Sequence, residues 1–249
     1  MGKIIKYEWK KQRTSRFVIL FGLLACLILF TIGAINQNST SFFIAVMLMT
    51  FGSFLVIFYT GIESLIVFNR DLRTKQSHML WMIPKSVYEI LGGKFLAAIL
   101  QMLFVFTAFL LTGCLSMLIM FFGSDGKLNQ LIEFFQNLVL NMFQVKIDWG
   151  MFLSIMFLLF LSWTVVIMTG FLAIIISRTV LLNSRFSGIL SIILFFIINY
   201  IVEEGYSLLS NAFGLSGFTF QFLDFAYYIV ACVALFLASG VLANKKLSV

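Results

Sequence analysis

The amino-acid sequence predicts an all-α integral membrane protein with six transmembrane helices. Of the 249 residues, 61% are hydrophobic and only 11% are charged, whereas soluble domains are about half apolar and about one quarter charged. The apolar residues form six runs that each reach the roughly 20 residues needed to cross a bilayer as a helix. Because these runs occupy so much of the chain, residues 1–249 are predicted to form a single membrane domain.

The six spans and the segments between them follow from the apolar pattern. Residues 3–16 alternate apolar and basic side chains and predict an amphipathic helix at the membrane interface. Helical spacing of apolar residues predicts a second amphipathic helix over 123–149, on the outer leaflet. Residues 205–222 are apolar, interrupted by Gly and Ser and too short to cross, which predicts a re-entrant hairpin between the fifth and sixth spans. The spans themselves are predicted at about residues 17–36, 42–68, 94–122, 150–177, 186–202 and 223–243.

The basic residues orient these spans. Fifteen of the 17 Lys and Arg residues fall on one side of the predicted membrane, and only Lys127 and Lys146 fall on the other. Cytoplasmic loops are enriched in Lys and Arg, so both termini are predicted to be cytoplasmic in a protein of the cell membrane. The net charge of +7 does not indicate nucleic-acid binding, because the cations flank the spans and face lipid headgroups.

Residue types that support catalysis are scarce. His78 is the single histidine, so the chain cannot form a His-based metal cluster, and it lacks a Gly-rich phosphate-binding loop. Glu63 is the one acidic residue predicted at membrane depth, whereas intramembrane proteolysis needs a pair of catalytic groups. The chain is therefore predicted not to be an enzyme. Glu63 is costly at that depth: either it lines or gates a pathway, or it reaches the interface and pairs with Arg70 or an N-terminal cation.

The segment between the second and third spans carries the most information about function. Residues 69–94 read NRDLRTKQSHMLWMIPKSVYEILGGK, with a charged first half, a short apolar stretch and the only proline of the chain, Pro84. Proline ends a helix, so the pattern predicts an amphipathic helix over 69–84, with a charged face toward the cytoplasm. Such a helix would act as a lever on the two spans that it joins. An ordinary solvated loop is the alternative.

At these residues the chain resembles the permeases of the ATP-binding-cassette (ABC) type-2 exporter family. The matching positions are Arg70-Asp71, the Leu-rich stretch that ends at Pro84, and Gly93-Lys94 at the start of the third span. The six spans, the amphipathic N-terminal segment and the hairpin before the last span also match. The chain departs from the family at residues 75–78, Lys-Gln-Ser-His, where many members have Gly-Thr-Leu-Glu.

The resemblance implies that the permease pairs with a second copy or a paralogue, and that each permease meets a separate cytoplasmic ATPase through the coupling helix at 69–84. ATP and Mg would bind to that partner subunit, leaving no cofactor or metal in this chain. His78 could equally be an ordinary surface residue. The predicted ATPase contacts are Arg70, Asp71, Arg73, Lys75 and His78.

The substrate is predicted from the resemblance more than from the residues. The 31 Phe and 12 Met residues suit a pathway for hydrophobic or amphipathic molecules, because such surfaces adapt to varied apolar partners, but they also suit lipid-facing surfaces. The resemblance implies export of a peptide of the toxin or bacteriocin type. Lipid-like molecules, drugs and immunity to antimicrobial peptides are the alternatives, and a secondary carrier or a membrane scaffold are the competing classes.

Overall fold

The structure, a computed structural model, describes residues 2–36, 39–73, 86–123, 149–180, 187–213 and 218–246. These ranges are almost entirely helical and contain no strand. The seven helices that they form are α1 (Gly2–Lys11), α2 (Arg13–Ile35), α3 (Ser39–Arg73), α4 (Val87–Gly123), α5 (Trp149–Val180), α6 (Ser187–Phe213) and α7 (Phe218–Lys246).

Helices α2 to α7 are long and apolar enough to cross a membrane. A helix pairs its own backbone N–H and C=O groups, which water cannot satisfy inside a bilayer. The described part of the chain therefore confirms the predicted class, an α-helical multi-pass membrane protein. Residues 2–11 are helical, as expected for the amphipathic N-terminal helix, whose place at the interface stays a prediction.

The region predicted to form a re-entrant hairpin, residues 205–222, is helical where it is described. Helix α6 continues beyond the predicted end of the fifth span to Phe213, and α7 begins at Phe218. Gly205 keeps the two helices close, because a Cβ atom there would lie 3.0 Å from the hydroxyl of Tyr227. Residues 214–217 lie outside the described residues, so the re-entrant course stays a prediction. Two further predictions fall mostly outside the described residues. They are the outer helix at 123–149, of which residues 124–148 are not described, and the coupling segment, of which residues 74–85 are not described.

The helices divide into two compact units. Unit 1 contains Met1–Ile5, Gly61–Ala98 and Leu153–Val249, and unit 2 contains Lys6–Thr60 and Ile99–Phe152. The core of unit 2 joins α2 and α4, with a contribution from α3. Its members are Ile19, Leu23, Val105 and Ala108, against which Val56, Phe104 and Phe109 pack.

Helix α5 is the most buried span of unit 1. In an apolar 18-residue segment of α5, 61% of the residues are buried, whereas none are buried in the corresponding segment of α6. Several buried residues of α5 are small, among them Thr169, Ala173 and Ser177. Small residues let membrane helices approach closely. At Gly170 the side chain of Leu65 occupies the space of the missing Cβ, so a larger residue would force Leu65 of α3 to shift.

Candidate functional site

Unit 1 packs α3, α4 and α5 together at the end of α3, directly before residues 74–85. Phe171 of α5 is 1% exposed. Its ring stacks on that of Phe68 from α3, with ring centroids 4.3 Å apart, and meets Phe95 of α4 edge-on at 6.4 Å. Offset-stacked and edge-to-face pairs are the favourable aromatic geometries. This aromatic layer therefore holds the three helices in contact near the C-terminal end of α3.

A buried ion pair joins α3 to α4 beside the aromatic layer. Nζ of Lys94 donates a hydrogen bond to Oδ2 of Asp71, and both side chains are almost fully buried. Taking a charge out of water is costly unless an opposite charge compensates it. Each of these residues is thus needed for the burial of the other. The pair connects the last turn of α3 to the beginning of α4.

A second polar contact joins α3 to α5. Nη2 of Arg178 donates to Oδ1 of Asn69 at 2.8 Å. Arg178 belongs to the last turn of α5, where a cation also interacts favourably with the helix dipole. We call the four residues Asn69, Asp71, Lys94 and Arg178 the helix-end clamp, because they join the ends of α3 and α5 and the beginning of α4.

Gly93, next to Lys94, lies where helix α1 packs closely against α4. A Cβ atom at this position would lie 2.9 Å from Cγ2 of Ile4, which belongs to the first residues of α1. A side chain there would therefore displace the N-terminal end of α1. The Gly-Lys dipeptide thus makes two contacts: Gly93 leaves room for Ile4 to pack against the backbone, and Lys94 forms the ion pair with Asp71.

The structure separates the residues that the sequence grouped as ATPase contacts. Arg70 is exposed, whereas Asp71 is 7% exposed and bonded to Lys94. Arg73 is the last residue of α3. Lys75 and His78 lie outside the described residues, so their roles stay predictions.

Sequence reasoning missed the helix-end clamp. It treated Asp71 as part of a charged surface, and it did not connect Asn69 with Arg178. One signal was available: Lys94 follows two glycines and begins an apolar run, where an unpaired lysine would be costly. Its partner could not be read from the chain, since Asp71 lies 23 residues away.

Glu63 lies on α3, two turns before Asp71. The residue is half-buried, and the adjacent Ser64 is 4% exposed. Its Oε2 atom is buried. A role in lining or gating a pathway and a structural role at the interface both stay predictions.

Unit 2 contains a separate polar cluster around Arg16. The guanidinium lies 4.1 Å from the centroid of the Trp9 ring and donates to the Trp9 carbonyl at 2.5 Å and to Oε1 of Gln101 at 2.9 Å. The Trp9 ring also meets Phe104 edge-on at 5.9 Å. Stacking on an aromatic ring and directed hydrogen bonds are characteristic uses of arginine. Arg16 therefore fixes α1 to α2 and α4, in addition to contributing to the charge asymmetry.

A third polar cluster joins α6 to α7. The hydroxyl of Tyr206 donates to Oδ1 of Asp224, which is 6% exposed, and that of Tyr227 donates to the carbonyl of Val202 at 2.5 Å. The rings of Tyr206, Tyr227 and Tyr228 lie with their centroids 5.4 to 5.9 Å apart. Asp224 is thus a buried acceptor that helps to hold the two helices together.

Six long apolar helices, with buried polar groups that join one helix to another, define a multi-pass membrane protein. The chain belongs to the ABC-2 transporter family: the family model described as ABC-2 family transporter protein matches residues 4–145. The match includes α1 to α4 and thus the Asp71–Lys94 pair. No curated protein and no solved structure matches the chain significantly.

Family membership confirms the ABC-2 permease family that the resemblance at residues 70–94 implied. ABC-2 permeases are the membrane components of ABC transporters, and they work with an ABC ATPase subunit. This chain is therefore a transporter permease, and the helix-end clamp lies within the part of the chain that defines the family, apart from Arg178 of α5.

Proposed function

We propose that the chain is the permease subunit of an ABC exporter and that the Arg70 end of α3 faces the cytoplasm. The family match carries the first part of this proposal. The second part is supported by the distribution of Lys and Arg, of which 15 of 17 fall on the side that includes Arg70, because such residues are retained in cytoplasmic loops. Both termini lie on that same side.

Arg70 is the described residue best placed to contact the ATPase. It is exposed at the end of α3, one residue before the buried Asp71. An exposed cation suits an interface that is oriented by charge, since charges at the rim of an interface steer the encounter of the partners. Arg73, Lys75 and His78 complete the proposed contact as predictions from the sequence.

The proposed substrate is a hydrophobic or amphipathic peptide, carried by a pair of permeases that are two copies of this chain or this chain and a paralogue. Support comes from the resemblance to small exporter permeases and from the Phe-rich and Met-rich composition. An adaptable apolar surface accepts varied apolar side chains better than it accepts a sugar or an ion. Lipid-like molecules and drugs are the competing substrates of the same transporter class.

Purification of the tagged permease from its native membrane tests the partner. We expect a separate subunit with Walker motifs to co-purify and to hydrolyse ATP. Arg70→Glu should reduce the amount of ATPase retained per permease by about fivefold or more, because a reversed charge at a charged interface is repelled. Lys245→Glu is the matched control: Lys245 is exposed and lies on the same predicted side, and its reversal should leave retention unchanged. Equal losses in both variants would contradict the assigned contact.

A substrate test follows with the same complex in proteoliposomes. A labelled cationic amphipathic peptide and a fluorescent short-chain phospholipid are compared for stimulation of ATP hydrolysis. The peptide proposal expects stimulation by the peptide alone, and abolition of that stimulation by the triple reversal Arg70→Glu, Arg73→Glu, Lys75→Glu. Stimulation by the phospholipid alone would replace the peptide with a lipid-like substrate.

A further inference from the structure

Two residues of the helix-end clamp flank, in the sequence, the stretch of chain that the proposed function assigns to the ATPase. Asp71 and Lys94 lie on either side of residues 74–85 and are joined by a buried ion pair. The Asn69–Arg178 hydrogen bond is formed one turn or less from Asp71 on α3. Both contacts stand beside the packed rings of Phe68, Phe95 and Phe171. Asp71 and Lys94 therefore belong to the same packed group of helices.

We propose that Asp71 and Lys94 are positioning residues for coupling to the ATPase, and that Asp71 does not contact the ATPase itself. This inference rests on the proposed function. The two neighbours Arg70 and Asp71 have different tasks: the exposed arginine meets the partner, and the buried carboxylate fixes the end of α3 to α4. With about 3.6 residues per helical turn, successive residues point to different sides, so adjacent positions can serve two surfaces.

The choice of a charged pair has a physical reason beyond stability. A buried ion pair contributes little net stability compared with well-packed apolar residues, whereas loss of one partner leaves a costly unpaired charge. An ion pair does impose one register, since Nζ of Lys94 must meet the carboxylate of Asp71. Leu at both positions would pack in several registers. The pair thus specifies how the end of α3 and the beginning of α4 are aligned.

The clamp also determines which helices respond to a movement of that stretch. Asp71 and Lys94 hold α3 and α4 together, and Arg178 adds α5 through Asn69. A displacement imposed between α3 and α4 is therefore passed to three helices as one group. Without the ion pair, the ATPase would still bind through Arg70, but its movement would reach α3 and α4 separately.

The test uses the complete permease–ATPase complex and four variants. Asp71→Asn removes one charge, the double variant Asp71→Lys, Lys94→Asp exchanges the charges, Lys94→Arg is the conservative change, and Arg70→Glu is the comparison at the exposed neighbour. Three quantities are measured for each: the amount of ATPase retained per permease, the rate of ATP hydrolysis per retained complex, and the apparent melting temperature of the permease alone in detergent.

We expect Asp71→Asn to keep most of the ATPase bound but to lower the hydrolysis rate by about fivefold or more, within the range of coupling between residues in contact. The charge exchange and Lys94→Arg should restore the rate to within about twofold of the wild type. Arg70→Glu should show the opposite pattern, with poor retention and a normal melting temperature.

Three results would overturn the inference. If Asp71→Asn loses the ATPase as completely as Arg70→Glu and the charge exchange does not restore it, Asp71 contacts the ATPase directly. If Asp71→Asn changes only the melting temperature, the pair has a purely structural role. If the exchanged variant melts like the wild type but hydrolyses ATP as slowly as Asp71→Asn, the sign of each charge matters to another group. Failure of the wild type to retain any ATPase would instead contradict the proposed function, and the melting temperatures would still report whether the charge exchange restores the pair.

Discussion

Helices α5 and α6 are consecutive spans of the same unit, yet one is largely buried and the other is not. In an apolar 18-residue segment of α5, 61% of the residues are buried, whereas in the corresponding segment of α6 none are buried. Hydrophobicity does not account for this difference, because lipid and protein interior are equally apolar. Small side chains that allow close approach contribute to it, although α5 also buries large ones such as Met168 and Phe171. Helix α5 has Thr169, Gly170, Ala173 and Ser177 among its packed residues, whereas α6 exposes large ones such as Ile192, Phe196 and Ile201.

This comparison teaches that hydropathy alone does not identify the buried helix of a membrane unit, and that small residues at helix contacts are an additional signal. Close packing around α5 brings Phe171 against α3 and α4 and places Arg178 within reach of Asn69. Helix α6 makes several polar contacts with its neighbours, among them the hydrogen bond from Ser177 to the carbonyl of Ser187. Substitutions in α5 should therefore affect both stability and coupling, and equivalent substitutions in α6 should affect neither strongly.

The largest expected effect is that of Phe171→Ala. Phe171 is 1% exposed, and truncation would leave a cavity between three helices, at a cost of about 3–5 kcal/mol. Phe196→Ala in α6 is the matched control, because Phe196 is 65% exposed and exposed sites usually change stability by about 0.5 kcal/mol or less. Thermal unfolding in detergent, followed by tryptophan fluorescence, measures the difference. Equal melting temperatures for the two variants would refute the central position of α5.

The next effect is that of Gly170→Leu. Leu65 already fills the space beside Gly170, and inserting extra carbons into a packed core costs about 1–3 kcal/mol. The same change at Gly188 in α6 meets no atom within 4 Å of the added Cβ and should be tolerated. The yield of monodisperse protein on size-exclusion chromatography after mild heating distinguishes them. A tolerated leucine at 170 would mean that the contact between α3 and α5 is loose.

An effect of similar size is expected from Asn69→Ala. It removes the acceptor for Arg178, and a hydrogen bond to a charged group contributes about 1.5–3 kcal/mol. Asn69→Asp should preserve the contact, since a carboxylate also accepts from a guanidinium. The melting temperatures and the hydrolysis rates of the complex are compared for both variants. If the alanine variant matches the wild type in both measurements, the second contact of the clamp has no role.

The smallest effect is predicted for Thr169→Val, which tests the attachment of α6 to α5. The Thr169 hydroxyl lies 3.3 Å from Oδ1 of Asn199 and 2.8 Å from the carbonyl of Val166. Interhelical hydrogen bonds in membranes contribute about 0.6 kcal/mol on average, so the melting temperature should fall only slightly. A loss as large as that of Phe171→Ala would show that α6 depends on this single polar contact.

The sequence predicted the membrane class and the six spans because both depend on the local density of apolar residues. It could not predict which span is buried from hydropathy, although Gly170, Ala173 and Ser177 lie on one side of α5 at helical spacing and carry that information. The helix that contains the predicted fifth span continues past residue 202 to Phe213, and where that span ends in the membrane stays a prediction.

For the candidate site, the sequence suggested a segment, whose role stays a prediction, but not the contacts of each residue. Charge and the proline pattern pointed to residues 69–84, and the Gly93-Lys94 dipeptide was recognised as a motif. Burial of Asp71 depends on a partner 23 residues further along the chain, which a local pattern cannot reveal. The same reason applies to Asn69 and Arg178, which lie 109 residues apart.

The central claim is that α3, α4 and α5 respond to the ATPase as one group. A reversible cross-link between Asn69→Cys and Arg178→Cys, in a background with Cys26, Cys114 and Cys232 replaced by Ser, tests it most directly. We expect the reduced sample, which lacks the Asn69–Arg178 hydrogen bond, to hydrolyse ATP more slowly than the wild type. The cross-linked complex should hydrolyse ATP at least as fast as the reduced sample and remain sensitive to Arg70→Glu, because the two helix ends do not separate during the cycle. Hydrolysis that stops on cross-linking and returns on reduction would contradict the account, since it would show that α3 and α5 must move apart.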